Sequence, residues 1–85
     1  MSKSIKCLLL DVDTVIISEI YEMDAEIGDP DCKLINPYVF KDENNMEPWP
    51  KASNQIELMV RSSDILTIAD PKPEVIEKYL ELTGE

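Results

Sequence analysis

Eighty-five residues with a formal net charge of −10 and no histidine put narrow limits on what this chain does. The length fits one domain, whose small core buries roughly 60–65% of its unfolded surface, a shortage that assembly commonly offsets. The charge opposes phosphate backbones, DNA included, and anionic lipid, and the missing histidine removes the usual general base and the commonest metal ligand. Cys7 and Cys32 match no metal-ligand spacing, so neither a metal nor another cofactor is expected. The apolar run Cys7–Leu10 is too short for a secretory signal, and no run reaches the ~18 residues of a membrane span. A cytoplasmic protein with reduced thiols is the expectation.

In chain order, Ile5–Leu10 (IKCLLL) is an apolar run suited to a strand covered on both faces. Asp11-Val12-Asp13-Thr14 supplies turn formers. Val15–Met23 (VIISEIYEM) starts β-branched and then alternates, predicting a strand that passes from fully covered to half exposed. Asp24–Pro30 carries the next turn and one of the two glycines. Asp31–Phe40 reads as a third strand, in which Pro37 cannot donate to a ladder and so predicts an edge, a bulge or a corner. Lys41–Asn54 is the longest polar interval, and its prolines around Trp49 predict an extended, exposed path.

The strongest β character lies in Ile56–Asp70 (IELMVRSSDILTIAD). It reads as two strands, Ile56–Arg61 and Asp64–Ala69, meeting at Arg61-Ser62-Ser63 around the chain's single arginine. Asp70–Pro73 then stops the sheet. Glu74–Thr83 places Val75, Ile76, Tyr79 and Leu80 on one helical face, with Pro73 suited to the first helical position and Gly84 to the stop. The sum is one domain over 1–85. It is mainly β, a small five-stranded bent antiparallel barrel over 5–70 with a C-terminal α-helix over 73–84.

Two segments resemble the Sm/LSm family. Val60–Ile68 (VRSSDILTI) resembles its second motif, a hydrophobic-Arg-Gly turn followed by an alternating strand. Leu9–Asp24 (LLDVDTVIISEIYEMD) resembles its first, and Asp31–Asn36 (DCKLIN) continues it. The short acidic form is most similar to Sm-like proteins of phage genomes, which would place this one in a host cytoplasm. The resemblance implies a homo-oligomeric ring of roughly five to seven subunits, built by strand four of one chain pairing with strand five of the next. Ile56, Leu58, Val60, Ile65 and Thr67 would then be interface residues. It also implies a ligand, usually single-stranded RNA, held by Asp24, Asp31, Arg61 and Ser62. Ser62 stands where the family has glycine, Asp31 where it has asparagine, Asp29 near the stacking position, and Ser18 in place of a strand-two glycine. An ionised aspartate accepts hydrogen bonds but, unlike asparagine, cannot donate them.

Each candidate has a plainer role beside the sharper one. Arg61 is a pore ligand or a turn arginine paired with Asp64 or with a carboxylate of a neighbouring subunit. Glu26, Asp29 and Asp31 form a weak cation site or a solvated acidic loop. Met46 and Trp49 bind a partner or cover the barrel's end. Leu8–Val15 (LLLDVDTV) also resembles the first motif of haloacid-dehalogenase-type phosphatases, with Asp11 as nucleophile and Asp11 and Asp13 on Mg²⁺. That fold needs crossover helices, which the pattern lacks, so no enzyme is expected. The expected function is a ring-forming binding or scaffold protein, its ligand RNA or, as the alternative, another protein.

Overall fold

In the computed structural model, which describes residues 4–42, 45–50 and 52–84, the apolar runs become one antiparallel sheet. The ends of the expected domain and parts of the Lys41–Asn54 interval (1–3, 43, 44, 51 and 85) lie outside the described residues. β1 (Ile5–Leu9) and β2 (Val15–Glu22) pair from Ile5↔Glu19 to Leu9↔Val15. Their turn is closed by the Leu10 N–H donating to Thr14 O at 3.1 Å. Five consecutive residues of β2, Ile16–Ile20, are buried before the strand emerges at Tyr21, as its composition predicts. Glu19 is buried too, and the Tyr21 hydroxyl donates to its Oε2 at 2.9 Å.

β3 (Cys32–Asp42) is long enough to carry two partners on its far side. Its first part pairs with β5 (Glu57–Val60) and its second with β4 (Asn45–Pro48). β6 (Thr67–Ala69) pairs with β1, giving the order β4-β3-β2-β1-β6 with β5 also on β3. The sheet therefore has six strands where the pattern predicts five. The additional strand is β4, inside the interval read as an exposed path. Met46, its one strongly apolar residue, is buried, but one residue makes no readable alternation. The predicted closure is absent as well: β5 and β6 lie at opposite ends and do not pair with each other among the described residues. The second strand of the Arg61 stretch is also shorter than predicted. Ser62–Asp64 form a single 3₁₀ turn, and extended pairing begins at Thr67.

The register explains the bend. Ile17 faces Tyr38 and Glu19 faces Ile35, so Asn36 and Pro37 together oppose Ser18. This is a β-bulge. Asn36 takes a left-handed φ of 53°, which asparagine tolerates better than most residues, and Pro37 has no N–H to lose. The extra residue changes which β3 side chains face which side. Cys32 and Leu34 join Leu8, Ile16 and Ile20 on one face, while Tyr38 and Phe40 join Ile17 and Met46 on the other. The first face is the inner one. Cys32 and Ser62 from one end of the sheet and Ile68 from the other line a single cleft of about 460 Å³ there.

α1 (Pro73–Thr83) covers part of the outer face. Pro73 opens it, and Gly84 closes it in the left-handed conformation at φ 78°, as its position in the sequence predicts. Val75 and Tyr79 are its buried residues. Tyr79 has no exposed surface, and its hydroxyl reaches the bulge carbonyls, Ile35 O at 3.0 Å and Asn36 O at 2.9 Å. Its ring meets Tyr38 edge to face at 5.8 Å. Ser18, also fully buried, donates to Ile35 O at 3.1 Å and Glu19 O at 2.8 Å. Two hydroxyls thus satisfy the carbonyls that the bulge takes out of the ladder.

Tyr79→Phe keeps the ring and removes the donor, so it is expected to lower stability by about 1–2 kcal/mol. Tyr79→Ala loses the packing too and is expected to cost about 3–5 kcal/mol. Urea unfolding measures both, and an unchanged midpoint for Tyr79→Phe contradicts the assigned role.

Candidate functional site

Asp31, Arg61 and Ser62, three of the residues that the sequence singles out, converge where the β2–β3 loop meets the turn after β5. The loop is closed by the Met23 N–H donating to Asp31 O at 2.8 Å. Its tip is a tight turn, with the Asp29 N–H donating to Glu26 O at 3.0 Å. Gly28 has φ 92° there, a conformation that favours glycine, and Ile27 is fully exposed. Across from the tip, the Asp64 N–H donates to Arg61 O at 3.0 Å and the Ile65 N–H to Ser62 O at 3.1 Å. These close the 3₁₀ turn.

Asp31 holds the two together. Its carboxylate accepts the Ser62 N–H at 2.7 Å and the Ser62 hydroxyl at 2.8 Å, and its own N–H donates to Val60 O at 3.2 Å. The Ser62 amide and then its hydroxyl favour the charged carboxylate and hold the Asp31 pKa below its ordinary value. The Ser62 side chain thus has a structural use of its own. Asn36 is the one described non-glycine residue with positive φ, so the turn asks no glycine at Ser62 and instead uses its side chain. Arg61 Nε lies 3.1 Å from Asp64 Oδ2, and both side chains are more than half exposed. The arginine is paired within its own turn.

Arg61, Ser62 and Asp31 line one cleft of about 490 Å³ with Ser63 and loop residues 25–29. Asp24 is exposed and is not among the lining residues. The cleft carries Glu26, Asp29 and Asp31 against one guanidinium, which is already paired. Such a site repels phosphate and suits a cationic or neutral ligand. Among the described residues, no group of three or more His, Cys, Asp or Glu is placed to hold a metal ion.

Asp11 and Asp13 sit in the exposed β1–β2 turn, where the Asp11 carboxylate accepts the Asp13 N–H at 2.8 Å. That bond, followed by one from the Thr14 side chain, lowers the Asp11 pKa. This is turn chemistry on an antiparallel sheet, not the parallel doubly wound sheet that the phosphatase resemblance implies.

The expected interface residues fall on or beside the two outer strands. Leu58 and Val60 are half-buried on β5, Ile56 precedes it and is exposed, and Thr67 is exposed on β6. Ile65 is half-buried and packs on the inner core. Three further apolar side chains of the same stretch are exposed: Met59, Leu66 and Ile68. The period-2 alternation of IELMV held the signal for Met59. Both cysteines are free thiols, and burial is the leading cause that raises each pKa. No described helix is long and apolar enough to cross a membrane.

Residues 3–84 match DUF6561, a family of unknown function. The comparison with curated proteins finds no match.

Asp31→Ala is expected to destabilise the chain near neutral pH by freeing the turn. The folded pKa of Asp31 is lowered, so its contribution is full above its ordinary value of 3.8 and is lost as pH falls through the lower folded value. Denaturant unfolding of both proteins across that range therefore shows a gap that closes in acid. A gap independent of pH contradicts the assignment.

Proposed function

The chain belongs to DUF6561, and we propose that it is an Sm-like protein that assembles into a homo-oligomeric ring and serves there as a binding scaffold. The observation that carries this reading is the position of β5 and β6. They are consecutive in the chain, separated by one 3₁₀ turn, yet they end up at opposite ends of the sheet. Each is paired on one side, to β3 and to β1. Each also presents large apolar side chains to solvent: Met59 on β5 at 46% exposure with Ile56 before it at 62%, and Ile68 on β6 at 52% with Leu66 before it at 65%. Two open apolar edges on one chain are a hazard unless something pairs with them. Strand pairing of β5 to β6 of the next chain meets both needs with one repeated contact, and a head-to-tail contact whose rotation closes makes a ring.

The Sm-like barrel belongs to the same proposal. β5-β3-β2-β1-β6 is a five-strand path, and β4 is an added hairpin arm on β3. The inner cleft reached from both ends of the sheet supports a barrel whose last seam is left to a neighbouring chain.

The local electrostatics favour a protein partner over RNA. Arg61 is paired with Asp64, Asp31 is held by Ser62, and Glu26 and Asp29 share the cleft. Free thiols at Cys7 and Cys32 accord with a reducing, cytoplasmic setting.

Native mass spectrometry is expected to give a single multiple of the 9.7 kDa chain. Ile68→Lys, a charged edge on a residue already half exposed, is expected to leave a folded monomer. A monomeric parent chain, or a lysine variant with unchanged mass, overturns the proposal. Retention of single-stranded RNA at low salt, lost in Arg61→Ala, would restore RNA as the ligand.

A further inference from the structure

The notch where β4 and β5 stop short of each other along β3 is a site of its own. We infer that it binds a proline-rich segment of a partner protein in the extended polyproline conformation, with the Trp49 ring as its platform. The inference rests on the protein-partner reading above but not on the ring. The notch lies within one chain and shares Ile56 alone with the proposed seam.

The bulge builds the notch. β5 pairs with β3 as far as Ile35 and β4 begins at Tyr38, so the ladder is interrupted at Asn36 and Pro37. Both walls are still tied to the bulge. The Trp49 N–H donates to Pro37 O at 2.9 Å, and the Asn36 N–H donates to Ile56 O at 2.7 Å. The connecting loop is braced by the Ser53 N–H donating to Pro50 O and the Gln55 N–H donating to Ser53 Oγ, both at 3.1 Å. Trp49 is half-buried and packs on the inner core, so it serves core and notch at once. Tyr38 is held by its edge-to-face contact with Tyr79 and by its hydroxyl, which donates to Leu82 O at 3.3 Å. Aromatic walls that are already held lose little freedom when a ligand arrives.

The lining points to the ligand. Charged residues make up 31% of the chain, yet none lines the notch among the described residues. Tyr38 and Trp49 bring aromatic rings, and Ile56 adds an aliphatic side chain that is 62% exposed. Asn36, Asn54 and Gln55 bring side-chain amides, which are bonded to no other described residue. A polyproline segment matches this set. It carries no charge, offers flat pyrrolidine rings to aromatic faces, and makes no internal hydrogen bonds, so its carbonyls await donors. The side-chain amides and the Trp49 indole N–H are such donors.

Size and charge decide against other ligands. The notch measures about 220 Å³. Pockets that enclose a small molecule measure roughly 300–1,000 Å³. A notch below that range suits one contact point of an extended chain, which advances ~3.1 Å per residue in this conformation. A nucleobase could stack on Trp49 as well, but single strands also need a positively charged groove along their backbone. This chain carries −10, and no cation lines the notch among the described residues.

Trp49 is the chain's one tryptophan, so its fluorescence reports on the notch directly. Titration of the full chain with a decaproline peptide is expected to change that emission saturably. In NMR spectra it is expected to shift the Trp49 indole signal and the side-chain amides of Asn54 and Gln55. A glycine-serine peptide of the same length is expected to leave them unmoved. Asn54→Asp, at an exposed position, replaces a donor with an acceptor and is expected to weaken decaproline binding roughly 3- to 10-fold. An equal response to both peptides, or no saturable change at millimolar decaproline, overturns the inference. A uridine oligonucleotide that moves the same signals where decaproline does not overturns it too, and makes the notch a nucleic-acid site. Native mass spectrometry alongside separates the site from the ring. Monomers that bind decaproline support the inference and remove the ring, whereas an assembly that ignores decaproline removes the inference alone.

Discussion

The bulge at Asn36 and Pro37 is the constraint on which the remaining structure depends. Without it, β3 would present one alternating face to the core along its whole length. With it, Leu34 and Tyr38 face opposite sides although they are four positions apart, an even offset. That switch creates two cores on a single sheet, one enclosed by its curl and one beneath α1. It also exposes carbonyls that need donors. Tyr79 and Ser18 supply them from two different elements, and Tyr79 thereby fixes where the helix sits. A helix of about ten residues has little stability of its own. Here its position follows from one buried hydroxyl, an edge-to-face contact with Tyr38, and the apolar stripe around Val75.

The same bend divides β3 between two partners and sends β5 to the edge of the sheet. A straight β3 could hold one long strand along its far side. The broken one holds β5 on Cys32–Ile35 and β4 on Tyr38–Asp42. The edge formed by β5 is therefore short, and so is the three-residue edge of β6. Short edges with half-exposed apolar residues suit one defined contact better than open-ended aggregation. Charge acts in the same direction. At −10 per chain, copies repel at long range, and only a contact that buries apolar surface and neutralises its own charges can bring them together.

Much of this architecture is legible in the sequence, and the missing parts have physical reasons. β1, β2, the start of β3, and the helix with its Pro73 and Gly84 boundaries follow from local pattern, because burial there is periodic and the stop signals are strong. Pro37 announces an irregularity, but which residue takes the left-handed conformation depends on the partner strand. β4 is invisible because a strand that contributes one buried residue, Met46, has no period. The 3₁₀ turn at Ser62–Asp64 is hidden for another reason. Its anchor, Asp31, is thirty-one positions away, and the turn would otherwise look like the start of a strand. The candidate site is legible as a set of residues but not as a geometry. Asp31, Arg61 and Ser62 do converge, while Asp24 stays apart and Asp31 serves the turn rather than leaving its carboxylate free for a ligand. Met59 and Ile68 were unremarkable as strand residues. Their exposure acquires meaning only when the strand order places them at the two ends of one sheet.

In the proposed assembly, β5 and β6 are the edges that join copies of this chain. Amide hydrogen exchange followed as protein concentration is raised reports on those edges directly. Amides within Glu57–Val60 and Thr67–Ala69 are expected to gain protection with concentration, while those of the Glu26–Asp29 turn stay fast. Exchange in both strands that does not change with concentration would contradict it.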